Sequence, residues 1–176
     1  MVQGPVDYTP GAYRNATREG FRIDYRNPMS QGTRAHQVAA YVVFDAPLVM
    51  LCDSPTRYMA DEACTRFIAS LPVVFDTTRV LAGEIGEYIV TARKRQDCWY
   101  VGGLTGWTPR TLDVDLSLLD PGREYTATLL ADDGRSAAEP ARYVLSTQRV
   151  TSATRLQIPV APGGGFALKI EPADNK

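Results

Sequence analysis

Two carboxylates and a tyrosine stand where this sequence could act on a bond. Asp7 follows the short apolar run Val2 to Val6, Asp53 follows the apolar run Leu48 to Cys52, and Tyr8 sits beside Asp7. Residues just past the C-terminal end of a strand line the active-site face of a βα barrel. Two carboxylates on successive strands can flank a glycosidic bond as acid and base. Each also has a plainer role. Asp53 reads first as the cap of a helix beginning near Pro55. Asp7 is open between lining a pocket and making the turn Asp7-Tyr8-Thr9-Pro10-Gly11, because a long connection follows it. Asp7, Tyr8 and Asp53 are therefore the candidate substrate-binding residues.

The other reactive side chains read as structural. His36 is the one histidine, which argues against a zinc site built on histidines, and its place beside a helical apolar stripe suits packing or hydrogen bonding. Cys52, Cys64 and Cys98 are odd in number and lack close spacing, so they read as three buried thiols rather than a disulfide framework or metal site. Trp99 and Trp107 could stack on a sugar ring. Alternation with Val101 instead sends Trp99 to a sheet core, and Trp107 reads as partly buried turn packing. Pro162-Gly163-Gly164-Gly165 lacks the lysine and helix of a phosphate loop and reads as a flexible turn.

The elements that would position these residues change character near residue 72. Thr33 to Asp45 carries Ala35, Val38, Ala39, Val42 and Val43 at helical spacing, with Thr33 as N-cap and Pro47 ending the pattern. Leu48 to Cys52 suits a strand buried on both faces. A second helix runs from Pro55 to about Ser70, burying Met59, Ala63, Phe67, Ile68 and Leu71. Ala12 to Gln31 is a long connection without period. Strand, loop, helix, strand, helix is one and a half βα units, too little for a complete domain. Residues 1–72 thus predict the C-terminal end of a larger (β/α)8 barrel, with Met1 at a cut or misassigned start.

Residues 73–176 read as an antiparallel β-sandwich. Strands are expected at 78–81, 87–93, 98–103, 110–116, 125–130, 143–150, 154–160 and 166–170, with turn residues between them. Its organising piece is the meander from Phe75 to Arg110.

The chain has 176 residues, 44% hydrophobic and 22% charged, with a formal net charge of -1. That is a globular composition. It gives no support to nucleic-acid or membrane-surface binding, which calls for a basic face. Arg93-Lys94-Arg95 reads as a solvated hairpin turn. No apolar run reaches membrane-spanning length, and the first residues show no signal-peptide pattern.

Seven segments together resemble glycoside hydrolase family 97. They are Gly-Pro-Val-Asp-Tyr-Thr-Pro-Gly at 4–11, Gly-Thr-Arg-Ala-His-Gln at 32–37, Leu-Cys-Asp-Ser-Pro at 51–55, Thr-Arg-Val-Leu-Ala-Gly-Glu at 78–84, Trp-Tyr-Val-Gly-Gly at 99–103, Trp-Thr-Pro-Arg at 107–110 and Pro-Gly-Gly-Gly-Phe-Ala at 162–167. The family contains α-glucosidases of starch-utilisation systems and related α-galactosidases. The resemblance covers nearly all of this chain and the C-terminal part of a family member. It implies a preceding N-terminal β-sandwich and most of a (β/α)8 barrel, an α-glucosidase-like parent enzyme acting on α-linked glucosides or galactosides, an oligosaccharide substrate and a periplasmic location. The family's catalytic carboxylates and calcium-holding glutamates lie before the Gly4-Pro5-Val6-Asp7 segment, and no residue here matches them. No catalytic residue and no metal ligand is therefore assigned, and the chain alone is expected to be inactive. The alternatives are a carbohydrate-binding module, which needs exposed aromatics in a row, and a structural or interaction module.

Overall fold

The computed structural model describes residues 4–173. The chain runs β1 (Asn15–Ala16), β2 (Ser30–Gln31), α1 (Arg34–Val43), α2 (Pro55–Ala60), α3 (Glu62–Ala69), then β3 (Thr77–Glu84), β4 (Tyr88–Arg95), β5 (Cys98–Thr105), β6 (Arg110–Asp115), β7 (Tyr125–Ala131), β8 (Val144–Val150), β9 (Arg155–Val160) and β10 (Gly165–Pro172). All eight strands expected after residue 73 form. Six make an antiparallel sheet in the order β3-β4-β5-β10-β7-β8, and β6 pairs with β9 in a second, two-stranded sheet.

Period-two alternation divides the large sheet between two cores. On one face Val90, Trp99, Val101, Phe166, Leu168 and Ile170 meet Leu112, Val114, Ile158 and Val160 of the small sheet. On the other face Tyr100, Leu130 and Ala167 meet Val38, Tyr41 and Val42 of α1. Helix, large sheet and small sheet thus form three layers. The Trp-Tyr-Val-Gly-Gly segment spells out this alternation. Trp99 and Val101 enter the sandwich, Tyr100 faces the helices, and Gly103 leaves room for Phe166: a Cβ there would lie 2.2 Å from its ring.

The α1 expectation holds at its cap. The Thr33 hydroxyl accepts the His36 amide at 3.1 Å. The second helix differs. It breaks at Asp61 into α2 and α3, and the Asp61 carboxylate caps α3 by accepting the Cys64 amide. The break rotates the apolar face. Cys64, Phe67 and Ile68 are buried, while Ala63 and Met59 are exposed.

Leu48 to Cys52 also differs from the expected buried strand. Among the described residues a single parallel bridge, Tyr8 to Val49, ties it to the start of the chain. Leu48 is 66% exposed, Met50 57% and Leu51 51%. Strand-like apolar chain without flanking strands has nothing to bury it. Cys64 is buried, but Cys52 is exposed and Cys98 half-buried, so the expectation of three buried thiols is corrected. The long connection is closed at its base by the parallel pairing of β1 with β2.

Candidate functional site

The three candidate residues lie at the helical end, on the two adjacent segments joined by the Tyr8–Val49 bridge. Asp7 is exposed and makes no side-chain hydrogen bond or ion pair among the described residues. Tyr8 is half-buried, its ring centroid 4.9 Å from that of Phe44, and burial raises the pKa of its hydroxyl. Asp53 is fully engaged. One carboxylate oxygen accepts the Tyr13 amide at 2.8 Å and the other the Ser54 amide at 2.8 Å. Ser54 takes the N-cap position, with Pro55 at the first helical turn, and makes no side-chain cap bond. Asp53 therefore ties the long connection to the start of α2 without capping that helix, whose N-cap is Ser54.

A network of tyrosines and one arginine, unseen in the sequence, holds this connection. The Tyr58 hydroxyl donates to the Gly11 carbonyl at 2.9 Å and accepts the Asp53 amide at 3.1 Å. The Tyr41 hydroxyl donates to the Pro10 carbonyl at 2.9 Å. Burial pushes the Tyr58 hydroxyl up to about 12 and Tyr41 higher, so both stay protonated donors. Arg34 sits beneath them, its side chain 6% exposed. Its guanidinium donates to the Asn15 side-chain oxygen at 2.7 Å, to Asp61 at 2.7 Å and to the Tyr13 carbonyl at 2.6 Å, and lies 4.0 Å from the Tyr13 ring centroid. Residues 10–15 are thereby fixed by side chains of α1 and α2 and by Asp53, while Asp61 anchors Arg34 from the far side. The one sequence signal was the density of tyrosines in the first third of the chain.

The remaining candidates take structural places. His36 reaches across to the sandwich, where its Nδ1 donates to the Gly164 carbonyl at 3.1 Å. Trp99 is buried in the core, as alternation predicted. Trp107 is half-buried at the rim of a cleft of about 260 Å³, with the Arg18 guanidinium 5.7 Å from its ring centroid. The Pro162–Gly165 turn is pinned rather than loose. One Asp132 carboxylate oxygen accepts the amides of Ala161 and Gly165 at 2.9 and 3.0 Å, and a Cβ on Gly164 would fall 1.9 Å from that oxygen. Among the described residues no group of three histidine, cysteine or acidic side chains could hold a metal ion.

Among the described residues the arrangement is a braced loop beside one carboxylate, Asp7, that makes no side-chain hydrogen bond or ion pair. Residues 74–171 match the family model described as glycosyl-hydrolase 97 C-terminal, oligomerisation. The chain belongs to glycoside hydrolase family 97. This family 97 chain is 48% identical over 171 residues to a retaining alpha-galactosidase of Bacteroides thetaiotaomicron, covering 97% of the chain and 26% of that protein. It is 30% identical over 169 residues to a probable retaining alpha-galactosidase of Streptomyces bingchenggensis, covering 94% and 23%. A glycoside hydrolase family 97 enzyme from Pseudoalteromonas sp. strain K8, solved in complex with panose, superposes with a TM-score of 0.86 at 28% identity, covering 97% of this chain and 27% of that one. The chain thus spans about a quarter of its curated relatives, at the part that the family model calls C-terminal.

Proposed function

We propose that this chain is the C-terminal portion of a retaining α-galactosidase-like family 97 enzyme. The observation that carries the reading is the 48% identity to a retaining alpha-galactosidase across 97% of the chain. Residues 1–72 would be the last βα elements of the catalytic barrel, and residues 73–176 the C-terminal sandwich. The exposed Leu48, Met50 and Leu51, beside the Tyr8–Val49 parallel bridge, support the barrel reading, because an apolar run of strand length left uncovered is what a barrel strand without its neighbours would present. Asp7 and Tyr8 would line the barrel mouth, with the braced connection to Gln31 forming one wall. Asp53, spent on two amides, would contribute less. Acid, nucleophile and any calcium ligands would come from the rest of the enzyme, leaving this chain inactive by itself. The sandwich would seal the barrel's last helices and associate chains, and the whole would work on oligosaccharides in the periplasm.

An α-glucoside substrate is the second reading, favoured by the panose bound to the Pseudoalteromonas enzyme. The higher identity to the retaining alpha-galactosidase, 48% against 28%, supports the galactoside as the first reading. The test is to extend the reading frame upstream, express the resulting enzyme, and compare aryl α-galactoside with aryl α-glucoside hydrolysis. A kcat/KM preference for the galactoside supports the proposal. A preference for the glucoside moves the parent to the second reading, and an upstream stop codon with a ribosome site at Met1 overturns both.

A further inference from the structure

Sheet edges are templates for another strand, and proteins protect them with charge, proline and bulges. Among the described residues this sandwich protects every edge but one. β3 ends the large sheet on one side and carries a bulge between Val80 and Ala82, together with Arg79 and Glu84. β6 and β9 are charged along their outer face, where Arg155 pairs with Asp115 and Gln157 with Asp113, and β9 holds Pro159. β8 ends the large sheet on the other side. It pairs with β7 in unbroken register from Val144 to Val150 and carries no proline, no bulge and one charge, Arg149. Six of its seven residues are exposed, Val144 and Leu145 among them.

We propose that β8 is the surface through which two copies of this chain associate, edge to edge and antiparallel. The proposal rests on the association reading above and names its surface. The edge is self-complementary. A two-fold axis normal to the sheet through Thr147 sets Thr147 opposite Thr147 of the second copy, Ser146 opposite Gln148, Leu145 opposite Arg149 and Val144 opposite Val150. Facing residues lie an even number apart, so each pair meets on one face of the joined sheet. Thr–Thr and Ser–Gln pairs can hydrogen-bond across strands, and the arginine stem covers the exposed leucine. Cross-strand neighbours on β7 give the same division: Ala131, Leu129, Ala127 and Tyr125 lie opposite Val144, Ser146, Gln148 and Val150. The edge is also held in place, because Tyr143 just before it is bonded to Asp61 at 2.7 Å. Seven residues span about 23 Å at 3.3 Å per residue, a contact at the small end of interfaces between separate chains.

Sedimentation velocity across the micromolar range tests this with the full 176-residue chain. The parent chain should form a reversible dimer. Thr147→Lys puts two ammonium groups face to face and should weaken it about tenfold or more, with the circular dichroism spectrum unchanged. In a Cys52→Ser background, Thr147→Cys should cross-link into a covalent dimer on mild oxidation, and Val80→Cys on the opposite edge should not. A dimer indifferent to Thr147→Lys, without a Thr147→Cys cross-link, overturns the β8 surface and leaves the association reading standing. A monomer at every concentration overturns both.

Discussion

The Tyr143 hydroxyl donates to the Asp61 carboxylate at 2.7 Å, across 82 positions of sequence. Asp61 caps α3 and pairs with Arg34, and Tyr143 leads into β8. One carboxylate therefore joins the helical end to the sandwich. Tyr143→Phe removes a hydrogen bond to a charged acceptor and should cost about 1.5–3 kcal/mol. Arg34→Met strands a part-buried carboxylate and the Tyr13 carbonyl and should cost about 3–5 kcal/mol. Urea unfolding measures both. The two losses should be non-additive in the double variant, because both residues act on Asp61.

Gly103 tests the packing of the two sheets. A methyl group there meets the Phe166 ring, which is itself fully buried. Gly103→Ala should destabilise by about 1–3 kcal/mol through overpacking. Gly134→Ala, where the added carbon meets nothing within 4 Å, should stay within about 0.5 kcal/mol of the parent. Equal unfolding midpoints for the two variants would show that the sheets do not close as described.

His36 gives the chain a pH dependence with a definite sign. Burial lowers the pKa of its imidazole below the ordinary 6.5, and the hydrogen bond to Gly164 opposes this only in part. As pH falls, the unfolded chain takes the proton first. Stability from neutral His36 is therefore present above about 6.5 and is lost as pH drops toward the lower folded value. Urea midpoints between pH 7 and 5 should fall more steeply for the parent than for His36→Gln. Identical slopes would remove His36 as the cause.

The free and the spent carboxylate separate two roles in the extended enzyme. Asp7→Asn should lower hydrolysis more than Asp53→Asn, because Asp7 faces solvent without a partner among the described residues while Asp53 binds two amides. The Asp53 variant should instead lower thermal stability, by about 1 kcal/mol or more as those amides lose a charged acceptor. Equal or reversed activity losses would remove Asp7 from the substrate side.

The sandwich was legible because strands with one buried face alternate, and Leu112, Val114 and Leu116, or Trp99 and Val101, declare their faces without outside help. Helix α1 was legible from Thr33 and its apolar stripe. The break at Asp61 was not, although an aspartate followed by glutamate is a helix-start signal: the surrounding apolar residues also fit one continuous helix. The exposure of Leu48 to Leu51 was hidden because an apolar run states what a segment wants to contact, not whether the contact is there. Arg34, Tyr13, Tyr41, Tyr58 and Tyr143 were hidden for another reason. Their hydroxyls and guanidinium join positions far apart in sequence, and no period marks a polar atom that finds its partner through the fold. Of the candidate site, the sequence could nominate the carboxylates but not the brace that engages Asp53 and leaves Asp7 without a partner among the described residues.

As proposed above, this chain is a supporting part of a family 97 glycosidase and should do no hydrolysis alone. Incubating the purified chain, and the upstream-extended enzyme beside it, with an aryl α-galactoside tests it most directly. The account predicts turnover by the extended enzyme and none by the chain. Clear release of the aryl group by the chain itself would contradict it, since a carboxylate pair able to cleave the bond would then have to lie within these residues.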